Sequence, residues 1–95
     1  MAEKRNFVVT VTTAGTALPG AGGQAGDYLV YAAKTNTGSY VYFGNDGADD
    51  ISSANGVPVK TDGPPGLLTV HDGQTLASIR FDVDTNGDKI VIFKL

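Results

Sequence analysis

The stretch LASIRFDVDTNGDKIVIFKL, residues 76–95, decides the fold of this chain. Apolar and charged residues alternate along Leu76–Asp84, which predicts an amphipathic β-strand. The Asn-Gly pair within Thr85–Asp88 is the preferred centre of a type I′ turn, so we expect a hairpin to a last strand over Lys89–Leu95. In the first strand the alternation places Ile79, Phe81 and Val83 inward and Arg80, Asp82 and Asp84 outward.

The last strand is apolar on both faces, because Ile90 and Ile92 alternate with Val91, Phe93 and Leu95. A strand of this kind needs cover on its outward side as well as its inward side. We expect that cover to come from the end of a second sheet or from a neighbouring subunit.

Five further segments are rich in β-branched and aromatic residues and predict strands. A Gly-containing turn, Thr35–Ser39, joins the second of them to the third in the pattern of a hairpin, and Pro58 confines the fourth to a sheet edge. About seven strands without a helical window indicate a single all-β domain over residues 1–95, an antiparallel β-sandwich or jelly-roll-like barrel. The five segments are Asn6–Thr13, Asp27–Lys34, Tyr40–Phe43, Val57–Val59 and Leu67–Val70.

Composition excludes several classes of function. The 95 residues suffice for one core, and the absence of cysteine removes disulfides, thiolate metal sites and a cysteine nucleophile. The net charge is −3 and the seven basic residues are scattered, which disfavours nucleic acid as a partner. No apolar run approaches the ~20 residues of a membrane span or resembles a signal peptide, so we expect a soluble protein made in the cytoplasm.

Two segments are predicted to be flexible: a polar N-terminal arm, Met1–Asn6, and a Gly-rich loop, Ala14–Gly26. The loop is not followed by the GK[ST] of a phosphate-binding loop and does not open a helix. No residue pattern predicts a cofactor.

Two acidic segments are candidate calcium sites. The sequence DVDTNGD offers Asp82, Asp84, Asn86 and Asp88 at alternate positions, as in the first half of a calcium loop, but the closing carboxylate position falls on Phe93. We favour a solvated Asn-Gly turn there and keep calcium as a minority alternative. A second cluster is interpreted in the same way and comprises Asn45, Asp46, Asp49 and Asp50.

A catalytic role is not predicted. The only histidine, His71, lies beside Asp72, but no serine of the chain lies in a GxSxG pattern. A turn histidine is the simpler interpretation, and we expect no enzyme activity.

The tyrosines suggest a different function. Tyr40 and Tyr42 share one face of their strand, where an exposed pair can stack on a sugar ring or anchor a protein interface. Ordinary cross-strand packing is the competing interpretation and the one we favour.

Three segments together resemble a known family: TTAGTALP at residues 12–19, YLVYAAKTNTGSYVYFG at 28–44 and ANGVPV at 54–59. Over residues 7–95 the chain resembles the small β-sandwich virion proteins of tailed bacteriophages, in particular the capsid decoration or cement proteins. The resemblance implies a non-enzymatic protein on the virion surface that binds the major capsid protein lattice, commonly as a trimer. The N-terminal arm and the Gly-rich loop are then our candidates for the lattice contacts.

Two alternatives remain open: a carbohydrate-binding β-sandwich module, optionally supported by calcium, and an attachment domain of a phage tail, fibre or neck. Under the favoured interpretation the candidate interface residues are Arg5, Phe7, Leu18, Tyr40, Tyr42, Phe93 and Leu95.

Overall fold

The computed structural model describes residues 4–48 and 50–95 and contains two antiparallel four-stranded sheets, which confirms the predicted all-β sandwich. The strand order is β1-β8-β3-β6 in the first sheet and β2-β7-β4-β5 in the second. A three-residue 3-10 turn, Leu76–Ser78, precedes β7, and no helix within the described ranges is long and apolar enough to cross a membrane. The strands are β1 Asn6–Thr10, β2 Leu18–Pro19, β3 Gly26–Ala32, β4 Tyr40–Gly44, β5 Val57–Lys60, β6 Gly66–Val70, β7 Arg80–Val83 and β8 Lys89–Lys94.

The core lies between the two sheets and follows from the alternation of the strands. In the first sheet Phe7 pairs with Ile92, which pairs in turn with Val30, and all three side chains are buried. In the second sheet Phe43 pairs with Phe81, and both are buried against the first sheet's inner residues. Residues at every second position of each strand therefore share one apolar layer.

Both predicted hairpins are wrong. β7 and β8 lie in different sheets, as do β3 and β4, so each connection crosses from one sheet to the other. In the turn Thr85–Asp88, Asp88 N–H donates to the Thr85 carbonyl, and only Gly87 has a positive φ, of 84°. A type I′ turn needs positive φ at both central residues, so the sign pattern here is that of a type II turn.

The connection from β3 to β4 is fixed by a side-chain amide instead of a hairpin ladder. Asn36 Nδ2 donates to the Lys89 carbonyl at 2.8 Å, and Lys89 N–H donates to Asn36 Oδ1 at 2.8 Å. This pair extends the antiparallel bonding of β8 by one step and ends the first sheet at this corner.

Several boundaries differ from the sequence-based expectation. The strand predicted over Leu76–Asp84 is wrong in its first part, because Leu76–Ser78 form the 3-10 turn and β7 begins at Arg80. β1 ends at Thr10 and not at Thr13, and the predicted loop Ala14–Gly26 contains the short strand β2. The predicted arm is anchored at its carboxyl end, since Asn6 belongs to β1 and Lys94 N–H donates to the Arg5 carbonyl at 2.8 Å. Residues 1–3 of the arm lie outside the described residues.

The prediction that Pro58 lies on an edge strand is confirmed. β5 is the edge of the second sheet, and Pro58 is opposite Tyr42 of β4. A proline tolerates this place because it has no N–H to contribute to a further strand.

Candidate functional site

The outer face of the first sheet is apolar, and we call it the outer face throughout. Val8, Leu67 and Leu95 are 56%, 66% and 58% exposed, although residues of this kind normally lie in a core. The register places the apolar side chains in continuous rows across the sheet, because Val8 is opposite Val91 and Leu29 is opposite both Phe93 and Leu67. The outer face comprises Val8, Leu29, Tyr31, Leu67, Val91, Phe93 and Leu95.

Polar residues border the outer face at both ends of its strands. At one end Thr69 Oγ1 donates to Asp27 Oδ1 at 2.9 Å, and the Arg5 guanidinium lies over the Phe93 ring at 5.0 Å from its centroid. At the other end Lys89, opposite Thr10, is exposed. An apolar centre with a polar rim of both signs is the anatomy of a protein interface.

The structure brings only some of the predicted interface residues together. Arg5, Phe93 and Leu95 meet at one corner of the outer face. Phe7 is 9% exposed and belongs to the core, and Leu18 is half-buried against it. The remaining two predicted residues, Tyr40 and Tyr42, lie on the second sheet.

Sequence reasoning missed most of the outer face. A strand that is apolar on both faces needs cover on each of them, and β8 shows this pattern in the sequence. The same signal is present in β3, where Leu29 and Tyr31 alternate with buried Tyr28 and Val30. Applied to every strand, it would have found the outer face.

The proposed calcium ligands instead hold loops together. Asp82 Oδ1 accepts from Gly15 N–H at 3.0 Å, and Asn86 Oδ1 accepts from Ala14 N–H at 2.8 Å. Asp88 accepts from Thr37 N–H and Gly38 N–H at 3.1 and 2.8 Å. Within residues 4–48 and 50–95 no group of three or more His, Cys, Asp and Glu side chains is placed to hold a metal ion.

Two expectations about this turn need correction. Asp82 was predicted to face solvent but is 2% exposed, because the loop at Ala14 and Gly15 folds over it. Asp88 was predicted to be solvated but is 6% exposed. A buried carboxylate is stable where backbone N–H groups replace the hydrogen bonds of the lost water. Backbone N–H groups do so for both Asp82 and Asp88.

The fourth member, Asp84, binds a tyrosine hydroxyl. Tyr42 Oη donates to Asp84 Oδ1 at 2.6 Å, while Asp84 Oδ2 accepts from Tyr40 N–H at 3.1 Å. Burial and the Asp84 carboxylate raise the pKa of Tyr42 from 10.0 to about 12. Tyr42 therefore stays neutral in the fold at pH values where a solvated tyrosine ionises.

We expect Tyr42→Phe to lower the free energy of unfolding at neutral pH by about 1–2 kcal/mol, because a hydrogen bond to a carboxylate is lost. Since the folded pKa of Tyr42 is raised, the hydroxyl's contribution is complete below pH 10 and is lost as pH rises toward about 12. Urea titrations from pH 7 to 12 should show the free energy of unfolding of the wild type falling to that of the Tyr42→Phe variant. Tyr40→Phe is the control, because Tyr40 contacts Asp84 through its backbone N–H and the substitution keeps that contact. If the stability difference between wild type and Tyr40→Phe also disappeared at high pH, the effect could not be assigned to the Tyr42 hydroxyl.

Only one ring of the stacked tyrosine pair is available to a ligand. The Tyr40 and Tyr42 rings lie 6.4 Å apart at 25°, but Tyr42 is 8% exposed against 39% for Tyr40. Gly56 packs on Tyr42, since a Cβ at Gly56 would lie 2.7 Å from the Tyr42 Cβ. A two-ring sugar platform is not formed.

The second acidic cluster closes its own loop. Asp46 accepts from Ala48 N–H at 2.9 Å, from Asp50 N–H at 3.3 Å and from Asn55 Nδ2 at 3.0 Å. The bond from Ala48, with smaller contributions from Asp50 and Asn55, lowers the pKa of Asp46 below its usual value. Asp49 lies outside the described residues.

His71 and Asp72 lie in an exposed turn after β6. Gln74 N–H donates to the His71 carbonyl at 3.0 Å, which closes the turn. This backbone hydrogen bond shows that the two residues form a turn.

Comparison of the chain with protein-family models, curated proteins and solved structures finds no match. The outer face can exclude water from an apolar partner, and the residues that sequence analysis singled out for chemistry fix loops in place.

Proposed function

We propose that this chain is a non-enzymatic structural protein that associates with copies of itself through the outer face and decorates the head of a tailed bacteriophage. The observation that supports self-association is the apolar outer face, on which Val8, Leu67 and Leu95 are each more than half exposed. Head decoration is the form of assembly that the family resemblance implies.

The size of the outer face fits an interface. Its strands are five to seven residues long, and spacings of ~4.8 Å between strands and ~3.3 Å per residue give four of them a footprint of roughly 400 Å². Apolar patches of a few hundred Å² on a folded domain commonly mark binding sites. This footprint includes the polar rim residues of the four strands and supplies about half of the roughly 800 Å² per partner of a standard interface.

A second copy of the chain is the occupant that we favour. In a closed oligomer each copy contributes its own outer face, so association removes this apolar surface from water in every copy. Arg5 and Asp27 border one end and Lys89 the other, so the rim offers both signs of charge and two copies need not meet through like charges. A small domain also gains stability from this additional burial.

We expect light scattering to give the wild-type chain a mass that is a multiple of 9.8 kDa, with a trimer as the form implied by the resemblance. Val8→Lys should return the mass to that of a single chain at the same concentration, because it places a charge among the apolar side chains of the outer face.

Val57→Lys is the matched control, since Val57 is 49% exposed but lies on β5 of the second sheet. Circular dichroism should show both variants folded. A monomeric wild type, or equal dissociation by the Val57 variant, would contradict the role of the outer face.

Decoration itself is tested by sedimentation of the protein with purified heads of the phage whose genome encodes it. We expect the chain to pellet with the heads in a saturable manner. If the chain self-associates but does not bind heads, the role of the outer face in self-association stands and the decoration role is overturned.

A further inference from the structure

The strand β1 ends the first sheet, and the register shows which of its backbone groups face away from the sheet. In an antiparallel pair alternate residues bond to the partner strand, and the residues between them direct N–H and C=O to the other side. The Arg5 carbonyl accepts from Lys94 N–H at 2.8 Å. At the other end of the strand, Val11 N–H donates to the Asp88 carbonyl at 3.1 Å. The residues of β1 whose backbone groups point out of the sheet are therefore Asn6, Val8 and Thr10.

Both edges of the second sheet present a proline at an outward position of this kind. On β2 it is Pro19, because the next residue, Gly20, donates its N–H toward β7. On β5 it is Pro58, and Lys60 also points outward, because Thr61 N–H donates to the carbonyl that precedes β4. A proline without N–H and a charged lysine are features that keep an edge strand from pairing with another chain.

Neither kind of protection is present on β1. Its sequence, NFVVT, has no proline and no charged residue, and Asn6, Val8 and Thr10 are exposed. On β6, the opposite edge of the same sheet, the same alternation turns only Leu67 and Thr69 outward. Among the four edges, β1 thus offers the most outward backbone groups to a further strand.

The strand β1 is complementary to a second copy of itself. When two antiparallel copies of β1 pair about a two-fold axis at Val8, Asn6 of each copy lies opposite Thr10 of the other. Every outward residue of both strands then exchanges N–H and C=O bonds with a partner, whereas a shift by two residues leaves one of them unpaired. No charges of like sign meet, because Arg5 falls opposite Val11 of the second copy.

The same register brings apolar side chains together on both faces of the joined sheet. On the outer face Val8, which is 56% exposed, lies beside Val8 of the second copy. On the inner face buried Phe7 falls opposite Val9 of the second copy, so the apolar layer continues across the axis. Cross-strand pairs of this kind stabilise a sheet in addition to its backbone bonds.

We propose that β1 of one copy pairs with β1 of a second copy and that the two first sheets become one continuous sheet across a two-fold axis. The bonds of this edge interface are backbone bonds, so it is separate from the side-chain contacts of the outer face. Two-fold pairing joins chains in twos, and an assembly that uses it contains an even number of chains. A trimer formed through the outer face would be joined to a second trimer.

Hydrogen exchange of the full chain, followed by ¹H–¹⁵N NMR, tests the pairing. An outward N–H on an unpaired edge exchanges with water quickly, whereas a hydrogen-bonded N–H is protected. After correction for intrinsic rates, we expect the amides of Asn6, Val8 and Thr10 to exchange about tenfold more slowly, or slower still, than the outward amides of β6. The amides of Leu67 and Thr69 are the internal control, and equal exchange at the two edges would overturn the pairing.

Val8→Pro separates the backbone bonds from the side chain. Proline at this outward position removes the N–H at the centre of the proposed pair but no bond to β8, so the sheet of each copy is kept. Protection of the Asn6 and Thr10 amides should be lost in Val8→Pro and kept in Val8→Thr, which retains the N–H and a β-branched side chain. Leu67→Pro is the matched control on β6 and should leave the β1 amides protected. Protection that survives Val8→Pro would overturn the pairing.

Light scattering identifies the occupant of the edge. We expect an even number of chains in the wild type. Protected β1 amides in a sample with the mass of one chain or of three chains would overturn a second copy as the partner strand.

Failure of this proposal can be distinguished from failure of the outer face. Leu67→Lys places a charge on the outer face at the edge farthest from β1, so it should lower the mass to that of two chains and keep the β1 amides protected. An unchanged mass with protected β1 amides would overturn the outer face and leave the pairing of β1 in place. A lowered mass with fast exchange of the β1 amides, in this variant and in the wild type, would overturn the pairing and leave the outer face in place.

Discussion

Asp88→Ala should lower the free energy of unfolding by about 3 kcal/mol, because part-buried backbone donors lose a charged and buried acceptor. The carboxylate is 6% exposed and accepts from Thr37 N–H, Gly38 N–H and, at 3.4 Å, the Thr37 hydroxyl. These donors lie in the connection between β3 and β4, so the substitution releases the crossing between sheets. A small domain has only ~5–15 kcal/mol in total, so the loss is a large fraction of its stability.

Urea unfolding at pH 7, followed by circular dichroism, measures this effect. Protein concentration must be fixed, because self-association adds concentration-dependent stability. Asp88→Asn should lose less, since one oxygen remains as an acceptor. Asp72→Ala, in an exposed turn, should stay within about 0.5 kcal/mol of wild type. If the Asp88→Ala and Asp72→Ala variants were equally stable, the hydrogen bonds of Asp88 would make no net contribution to the free energy of unfolding.

Gly23→Ala should cost about 3 kcal/mol through strain and overlap together. The φ of 69° disfavours any side chain, and a Cβ would lie 2.8 Å from Tyr28 Oη and 2.9 Å from Leu76 Cγ. Both neighbours are fully buried and cannot move away without opening the core. The alanine side chain should therefore displace the Gly-rich loop from its contacts with Tyr28 and Leu76.

Gly73→Ala separates the two contributions. Gly73 has a φ of 83°, but no atom lies within 4 Å of its added Cβ. This control should cost only the conformational part, about 1 kcal/mol. Thermal unfolding of both variants under identical conditions gives the comparison, and equal losses would show that the space around Gly23 is not restrictive.

The approximate positions of all strands except the two-residue β2 were predictable from the sequence, but their pairing was not. Alternation identifies β7 because burial on one face leaves a period of two in the sequence, and β8 is identified by its run of β-branched and aromatic residues. The turn between them was predicted from its Asn-Gly pair alone. Asn86, however, accepts a bond from Ala14, 72 positions earlier, so tertiary contacts and not local turn preference set the path of the chain.

The burial of the acidic side chains could not be predicted from the sequence either, and the reason is physical. Alternation correctly placed Asp82 on the face of β7 opposite the core residue Phe81. Its burial depends on where the loop around Gly15 folds, and no local pattern encodes that position. The calcium-like spacing arose because carboxylates suit backbone N–H groups as well as they suit a cation.

The central place of β8 in the first sheet has a kinetic consequence. β8 lies between β1 and β3, so Asn6 finds its partner Phe93 only after residues 89–94 have been synthesised. Until then the two earlier strands have unpaired edges and uncovered apolar side chains. Pairing over such sequence separation is slow, and the waiting chain is prone to aggregate or to depend on chaperones. Truncation before β8 should therefore yield an insoluble product and not a smaller sandwich.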